Sequence, residues 1–217
     1  MSENSISKAE RLGGIYSILS REYPDAGLRL HFETPLDLLV ASILAAQCRD
    51  ERVNAVTSLL FGKYKTAADY ANADVATLER EIGSVPMFRR KTRSIKEACE
   101  ALVTKHGGET PADIDALTAL KGVGRKTANL VLSSAFEIPA IVVDTHVMRI
   151  AGRLGLSKET DRDKIELDLM RLLPKDRWSQ LGHIFSAFGR DVCRARAPRC
   201  DICPVAQFCP FAQQSSG

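Results

Sequence analysis

At 217 residues and 45% hydrophobic content, the chain is long enough for one large or two modest domains and can bury a sizeable core. A formal net charge of only +3 excludes a global charge argument for a polyanionic partner, so any such argument rests on local patches. Met1 to Leu12 lacks the apolar stretch of a secretory signal, and the longest apolar run, Leu38 to Ala46 with Ser42 inside it, falls far short of the roughly 20 residues a membrane span needs. The expectation is a soluble, cytoplasmic protein.

The pattern is helical almost throughout. Thr34-Pro35 reads as a helix start, with a capping hydroxyl and proline at the first helical position. Leu36, Leu39, Val40, Ile43 and Leu44 then fall on one face at helical spacing. Asp50 is the expected cap of the next helix, whose apolar positions are Val53, Val56, Leu59 and Leu60. Asp74 caps a short helix that stops at Gly83. A longer helix runs from about Phe88 to Gly107-Gly108, and Leu117 and Leu120 close a short one. Later helices are expected over 125–137, 145–154, 161–173 and 175–188. Ile141-Val142-Val143 is β-branched but too short to count as a sheet. The tail from Gln213 to Gly217 reads as disordered. Cys48 and Cys99 fall in apolar helical patterns and read as core residues.

Positive charge gathers in three places. Arg89, Arg90, Lys91, Arg93 and Lys96 form one run, and Lys121, Arg125 and Lys126 a second. Arg190, Arg194, Arg196 and Arg199 form a third. Each could be a solvated helix face or a phosphate-binding patch.

Three motifs carry chemistry. Cys193, Cys200, Cys203 and Cys209 read C-x6-C-x2-C-x5-C, four thiols within seventeen residues. In a reducing compartment such a cluster favours a soft metal centre over disulfides. A zinc ribbon normally offers two C-x-x-C pairs, and here there is one; the irregular wrap suits a compact cubane better than a single tetrahedral ion, and both remain open. Second, Leu120-Lys121-Gly122-Val123-Gly124-Arg125-Lys126 lies between two helices. Val123 can point inward and pin the turn, while Gly122 and Gly124 can aim backbone N–H groups outward at a helix start; Gly122, Val123, Gly124 and Arg125 together are the expected phosphate site. Lys126 in the first helical turn is either a phosphate-binding or solvated lysine, the reading preferred from the residues alone, or an amine nucleophile. Third, Asp144 in Val143-Asp144-Thr145-His146 is a complete N-cap, or a carboxylate beside the amine.

Taken together, Leu120-Lys121-Gly122-Val123-Gly124-Arg125-Lys126-Thr127-Ala128-Asn129, Val143-Asp144-Thr145-His146-Val147 and the four-cysteine spacing resemble the endonuclease III family of helix–hairpin–helix DNA glycosylases. The resemblance covers about Arg11 to Cys209. It implies an all-α, two-domain fold: a six-helix barrel domain over 28–138, and an iron–sulfur cluster domain from 1–27 and 139–217. The four cysteines would bind a [4Fe-4S] cluster. Lys126 and Asp144 would lie on opposite sides of an interdomain cleft.

The implied activity is bifunctional: a DNA glycosylase and AP lyase of base excision repair that removes oxidised pyrimidines from duplex DNA. Lys126 would attack C1′ and form a Schiff base, and β-elimination would cleave the strand. Asp144 would stabilise charge at the sugar. Gln47 matches the residue that fills the gap left by the flipped base, and Met87 the wedge in the opposite strand. Arg194, Arg196 and Arg199 would form a basic knob, held by the cluster, against a phosphate backbone. Pro86-Met87-Phe88 departs from the family's usual glycine before the wedge, and Lys121 from its usual proline. The partner is double-stranded DNA with damaged pyrimidines or abasic sites; the expected form is a monomer in the bacterial cytoplasm at the nucleoid. The alternatives are a monofunctional glycosylase of the same superfamily, a non-catalytic DNA-binding iron–sulfur protein and an electron carrier.

Overall fold

The computed structural model describes residues 6–215. Met1–Ser5 and Ser216–Gly217, the latter pair part of the tail expected to be disordered, lie outside the described residues. Among those described there are twelve α-helices, three short 3-10 turns and no strand. In chain order the helices are α1 (Lys8–Glu22), α2 (Pro35–Ala45), α3 (Asp50–Lys63), α4 (Ala67–Asn72), α5 (Val75–Glu81) and α6 (Phe88–Lys105). Then follow α7 (Ile114–Thr118), α8 (Arg125–Ala135), α9 (Thr145–Arg153), α10 (Arg162–Leu172), α11 (Trp178–Asp191) and α12 (Pro210–Ser215). None of them is long and apolar enough to cross a membrane.

The chain divides into two compact units, residues 29–138 and residues 1–28 with 139–217. In the first, α2 is the central element and packs against α3, α6 and α8. Thr34 caps it with a full capping box: its hydroxyl accepts from Asp37 N–H, and the Asp37 carboxylate accepts from Thr34 N–H. The expected one-sided face is too narrow a description, because every residue from Leu36 to Leu44 is buried. Neighbours on several sides leave this helix no solvent face. In the second unit α9 packs on α10 and α11, and α1 on α10 and α11. Leu12, Ile15, Leu19, Ile150, Leu169, Phe185 and Phe188 fill its core.

Several expectations need correction. Asp50 is the first residue of α3 rather than its cap; Arg49 holds that position and no side chain caps the helix. Leu59 is 78% exposed, whereas its neighbour Leu60 is buried at 1%. Consecutive helical residues point about 100° apart, and Val53, Val56 and Leu60 define the buried stripe. Cys48 lies in the turn after α2 and is half-buried; of the two, Cys99 is the core thiol, with burial pushing its pKa up to about 12. Gln213 to Ser215 continue α12 instead of fraying. Among the helix starts outside the expected elements, those of α1 and α4 carry complete capping boxes, begun by Ser7 and Thr66.

Leu59 and Leu60 make a paired test of this packing. Leu60→Ala should cost about 2–5 kcal/mol of unfolding free energy through lost burial and a cavity. Leu59→Ala should stay within about 0.5 kcal/mol. Urea unfolding monitored by circular dichroism measures both.

Candidate functional site

The turn between α7 and α8 is built around Gly122, whose φ of 80° lies in the left-handed region. A Cβ there would come within 2.7 Å of the Ser94 Cβ, so α6 packs against the turn closely enough to demand glycine on two counts. Val123 is buried, and its N–H donates to the Leu120 carbonyl at 3.2 Å. It therefore anchors the turn and has neither side chain nor N–H directed outward. Gly124 differs from Gly122: its φ is −94°, and a Cβ added to it would meet nothing within 4 Å. Gly124 is the N-cap of α8, and no side chain caps that end. A helix start without a side-chain cap, beside open space, suits an anion. Lys126 is exposed in its first turn. Lys121 pairs with Glu97 across 4.0 Å at the surface.

Asp144, in the other unit, is the N-cap of α9. Its Oδ1 accepts from the His146 and Val147 N–H groups, both at 2.8 Å, and its Oδ2 accepts from the Ser186 hydroxyl at 2.8 Å. Both oxygens are thus fixed. His183, one turn before Ser186 on α11, has its pKa lowered by burial and by the Arg190 charge, with the Asp144 carboxylate opposing. The α9–α11 contact tightens at Gly189, where a Cβ would fall 2.8 Å from the His146 Cβ.

The four cysteines line one cavity together with Leu154, Phe188, Val192, Val205 and Phe211. Burial raises the pKa of Cys200 and Cys203, and the neighbouring cysteine thiolates raise them further. Such a donor set calls for a cation to neutralise it. Four thiols around one shared cavity are the donor set that an iron–sulfur cluster takes.

The loop is tied down by arginines that the sequence left unassigned. Arg149 donates to the Gly189 and Cys193 carbonyls at 2.9 and 2.8 Å. Arg153 donates to the Arg194 and Ala195 carbonyls at 2.7 and 3.0 Å, and its Nη1 lies 3.4 Å from the Cys193 Sγ. Arg11 reaches the Phe208 carbonyl at 3.2 Å. Spacing of four along α9 puts Arg149 and Arg153 on one face, which was the available signal. Arg194, Arg196 and Arg199 are exposed, and Arg199 pairs with Asp191 at 3.7 Å.

The first basic run is only partly a surface patch. Arg89, Arg90 and Arg93 are exposed, but Lys91 is 4% exposed. Lys91 Nζ donates to the carbonyls of Leu44 in the last turn of α2 and of Ala46 just past it, at 2.8 and 2.6 Å, and burial lowers its pKa. Lys96 Nζ likewise donates to the carbonyls of Ala71 and Ala73 at the end of α4. Gln47 and Met87, both exposed, take left-handed backbone angles with φ of 55° and 58°. Non-glycine residues rarely do so, and the strain is of order 1–3 kcal/mol each.

Residues 40–175 match the family model described as HhH-GPD superfamily base excision DNA repair protein, and residues 193–209 match the iron–sulfur binding domain of endonuclease III. The chain is 47% identical over 210 residues to the endonuclease III of Synechocystis sp., covering 96% of each. It is 43% identical over 193 residues to that of Bacillus subtilis (strain 168), covering 88% of each. A solved structure described as a trapped endonuclease III–DNA covalent intermediate superposes with a TM-score of 0.91 at 40% identity, covering 98% of this chain and 100% of that one.

Protein purified without oxygen should show broad visible absorption from iron–sulfur charge transfer, and Cys203→Ser should lose it. A colourless protein holding one zinc ion per chain would overturn the cluster, since zinc is d¹⁰ and spectroscopically silent.

Proposed function

The chain belongs to the endonuclease III family of the HhH-GPD superfamily of base excision DNA repair proteins, and from that membership we propose that it is a bifunctional DNA glycosylase and AP lyase. It removes oxidised pyrimidines from double-stranded DNA and cleaves the strand at the resulting abasic site. It acts as a monomer in the bacterial cytoplasm, on chromosomal DNA. The observation that carries this reading is Lys126, exposed in the first turn of α8, directly after a glycine turn that presents a helix start with no side-chain cap.

The chemistry needs the sugar C1′ exposed, so the damaged nucleotide leaves the stack. The Lys126 amine attacks C1′; the glycosidic bond breaks and the base departs with its electron pair, taking up a proton. The sugar ring opens and the lysine nitrogen holds C1′ as an imine. Loss of a C2′ proton then expels the 3′ phosphate, and water hydrolyses the imine to free the enzyme. Only an amine couples base release to strand cleavage in this way. The Asp144 carboxylate stabilises positive charge developing at the sugar, and its fixed geometry means no reorganisation is needed as that charge appears.

The remaining residues hold the DNA. Backbone N–H groups of Gly124 and Arg125 at the start of α8 receive a phosphate, with Gly122 setting the turn, and carry no sequence information. Gln47 enters the gap left by the flipped base. Met87, apolar and adaptable, wedges the opposite strand. Arg194, Arg196 and Arg199 supply cationic contacts on a loop stiffened by the [4Fe-4S] cluster of Cys193, Cys200, Cys203 and Cys209.

Borohydride reduction on a duplex with one thymine glycol should trap a covalent protein–DNA adduct. Lys126→Ala should lose both adduct and strand cleavage while still binding the duplex; an adduct retained by that variant would move the nucleophile elsewhere. Ser186→Ala, which strips the donor from Asp144 Oδ2, should slow single-turnover excision on the order of tenfold and leave duplex affinity unchanged.

A further inference from the structure

Lys91 is a cation on the apolar stripe of α6, in line with the buried Ile95, Ala98, Cys99 and Leu102. A desolvated ammonium needs a specific reason to be there. Its side chain reaches the last turn of α2, bonding the Leu44 and Ala46 carbonyls. The Ala46 carbonyl belongs to the same peptide plane as the Gln47 N–H. Fixing that carbonyl therefore fixes the plane from which Gln47 turns into its left-handed φ of 55°. The main chain of the same lysine works on the other side. Lys91 N–H donates to the Met87 carbonyl at 3.0 Å, closing the first turn of α6 behind a residue whose own φ is 58°.

We propose that Lys91 is a positioning residue for DNA insertion: its buried ammonium presets Gln47, and its main-chain N–H closes the turn behind Met87, the two strained residues that enter the duplex. The inference rests on the insertion roles given to those residues above. A cation at the carbonyl end of α2 is also stabilised by the negative end of the helix dipole, an attraction present without DNA. The surface positions Arg89, Arg90 and Arg93 have no equivalent bond to either turn. Strain of this kind persists only where surrounding structure enforces it, and the Lys91 ammonium supplies that enforcement next to Gln47.

The test is a double-mutant cycle between Lys91→Met and Gln47→Ala, read as single-turnover excision from a thymine glycol duplex. Affinity for undamaged duplex and the thermal midpoint serve as controls, since phosphate contacts dominate the former. Lys91→Met should slow excision by about ten- to a hundredfold, with undamaged-duplex affinity within about twofold. The double variant should be no slower than the slower single variant, because both changes remove the same insertion. Additive losses, an unchanged excision rate, or a parallel fall in undamaged-duplex affinity would overturn the inference and leave Lys91 as a stabilising cap. If Gln47→Ala alone is silent, the gap-filling reading itself fails, and with it the premise. Should Lys91→Met not fold, Lys91→Arg, which keeps charge and donors but alters reach, takes its place in the same cycle.

Discussion

Cations seated on backbone carbonyls at helix ends hold the functional loops of this protein. The last four carbonyls of a helix have no partner within it. Here Lys91 answers for α2, Lys96 for α4, and Arg149 for the end of α11 and the start of the cysteine loop. Arg153 extends the same device to Arg194 and Ala195. Each of these bonds satisfies a backbone acceptor, and at Lys91 it also compensates a charge withdrawn from water. Loss of either member would strand the other, which makes such contacts rigid. Apart from the end of α4, the segments they hold are those carrying Gln47 and the cysteines.

That economy explains which parts of the sequence were legible. Helix starts were readable where the cap is local: Thr34, Asp74 and Asp144 each bond N–H groups two or three residues on, and the pattern is complete within a few positions. The Ser7 and Thr66 boxes are as complete, and were hidden by the polar residues around them rather than by weak chemistry. Helix ends were harder, because Lys91 meets Leu44 from 47 residues away. A run of five basic residues looks like a surface patch in one dimension. On a helix, Lys91 turns inward with Ile95, and Arg89, Arg90 and Arg93 turn out. Leu59 is the converse case, an apolar residue that one step of the helix leaves in solvent.

The candidate site was legible in chemistry and opaque in conformation. The glycine turn, Lys126, Asp144 and the cysteine spacing could be read as residue types. The left-handed backbone of Gln47 and Met87 could not, since neither residue type announces it and proline before Met87 suggests only stiffness. Nor did any pattern point to Ser186, whose hydroxyl completes the bonding of Asp144 from 42 residues away. Long-range polar pairs of this sort leave no periodic trace. They arise where tertiary packing, at Gly189 against His146, brings two helices close enough for short side chains to meet.

Spacing leaves the metal of the cysteine loop open, and the match of residues 193–209 to the iron–sulfur binding domain of endonuclease III assigns it. One C-x-x-C pair is compatible with zinc or with an iron–sulfur centre. Zinc would require the four sulfurs to converge on a point about 2.3 Å from each. Within this loop they line one shared cavity whose surrounding carbonyls the arginines fix. Cys193, Cys200, Cys203 and Cys209 would hold the [4Fe-4S] cluster there. The Arg153 guanidinium beside Cys193 then donates toward a ligand sulfur, the kind of contact that tunes such a centre. The same arginine holds the Arg194 and Ala195 carbonyls, so the environment of the cluster and the posture of the basic loop are set by one side chain.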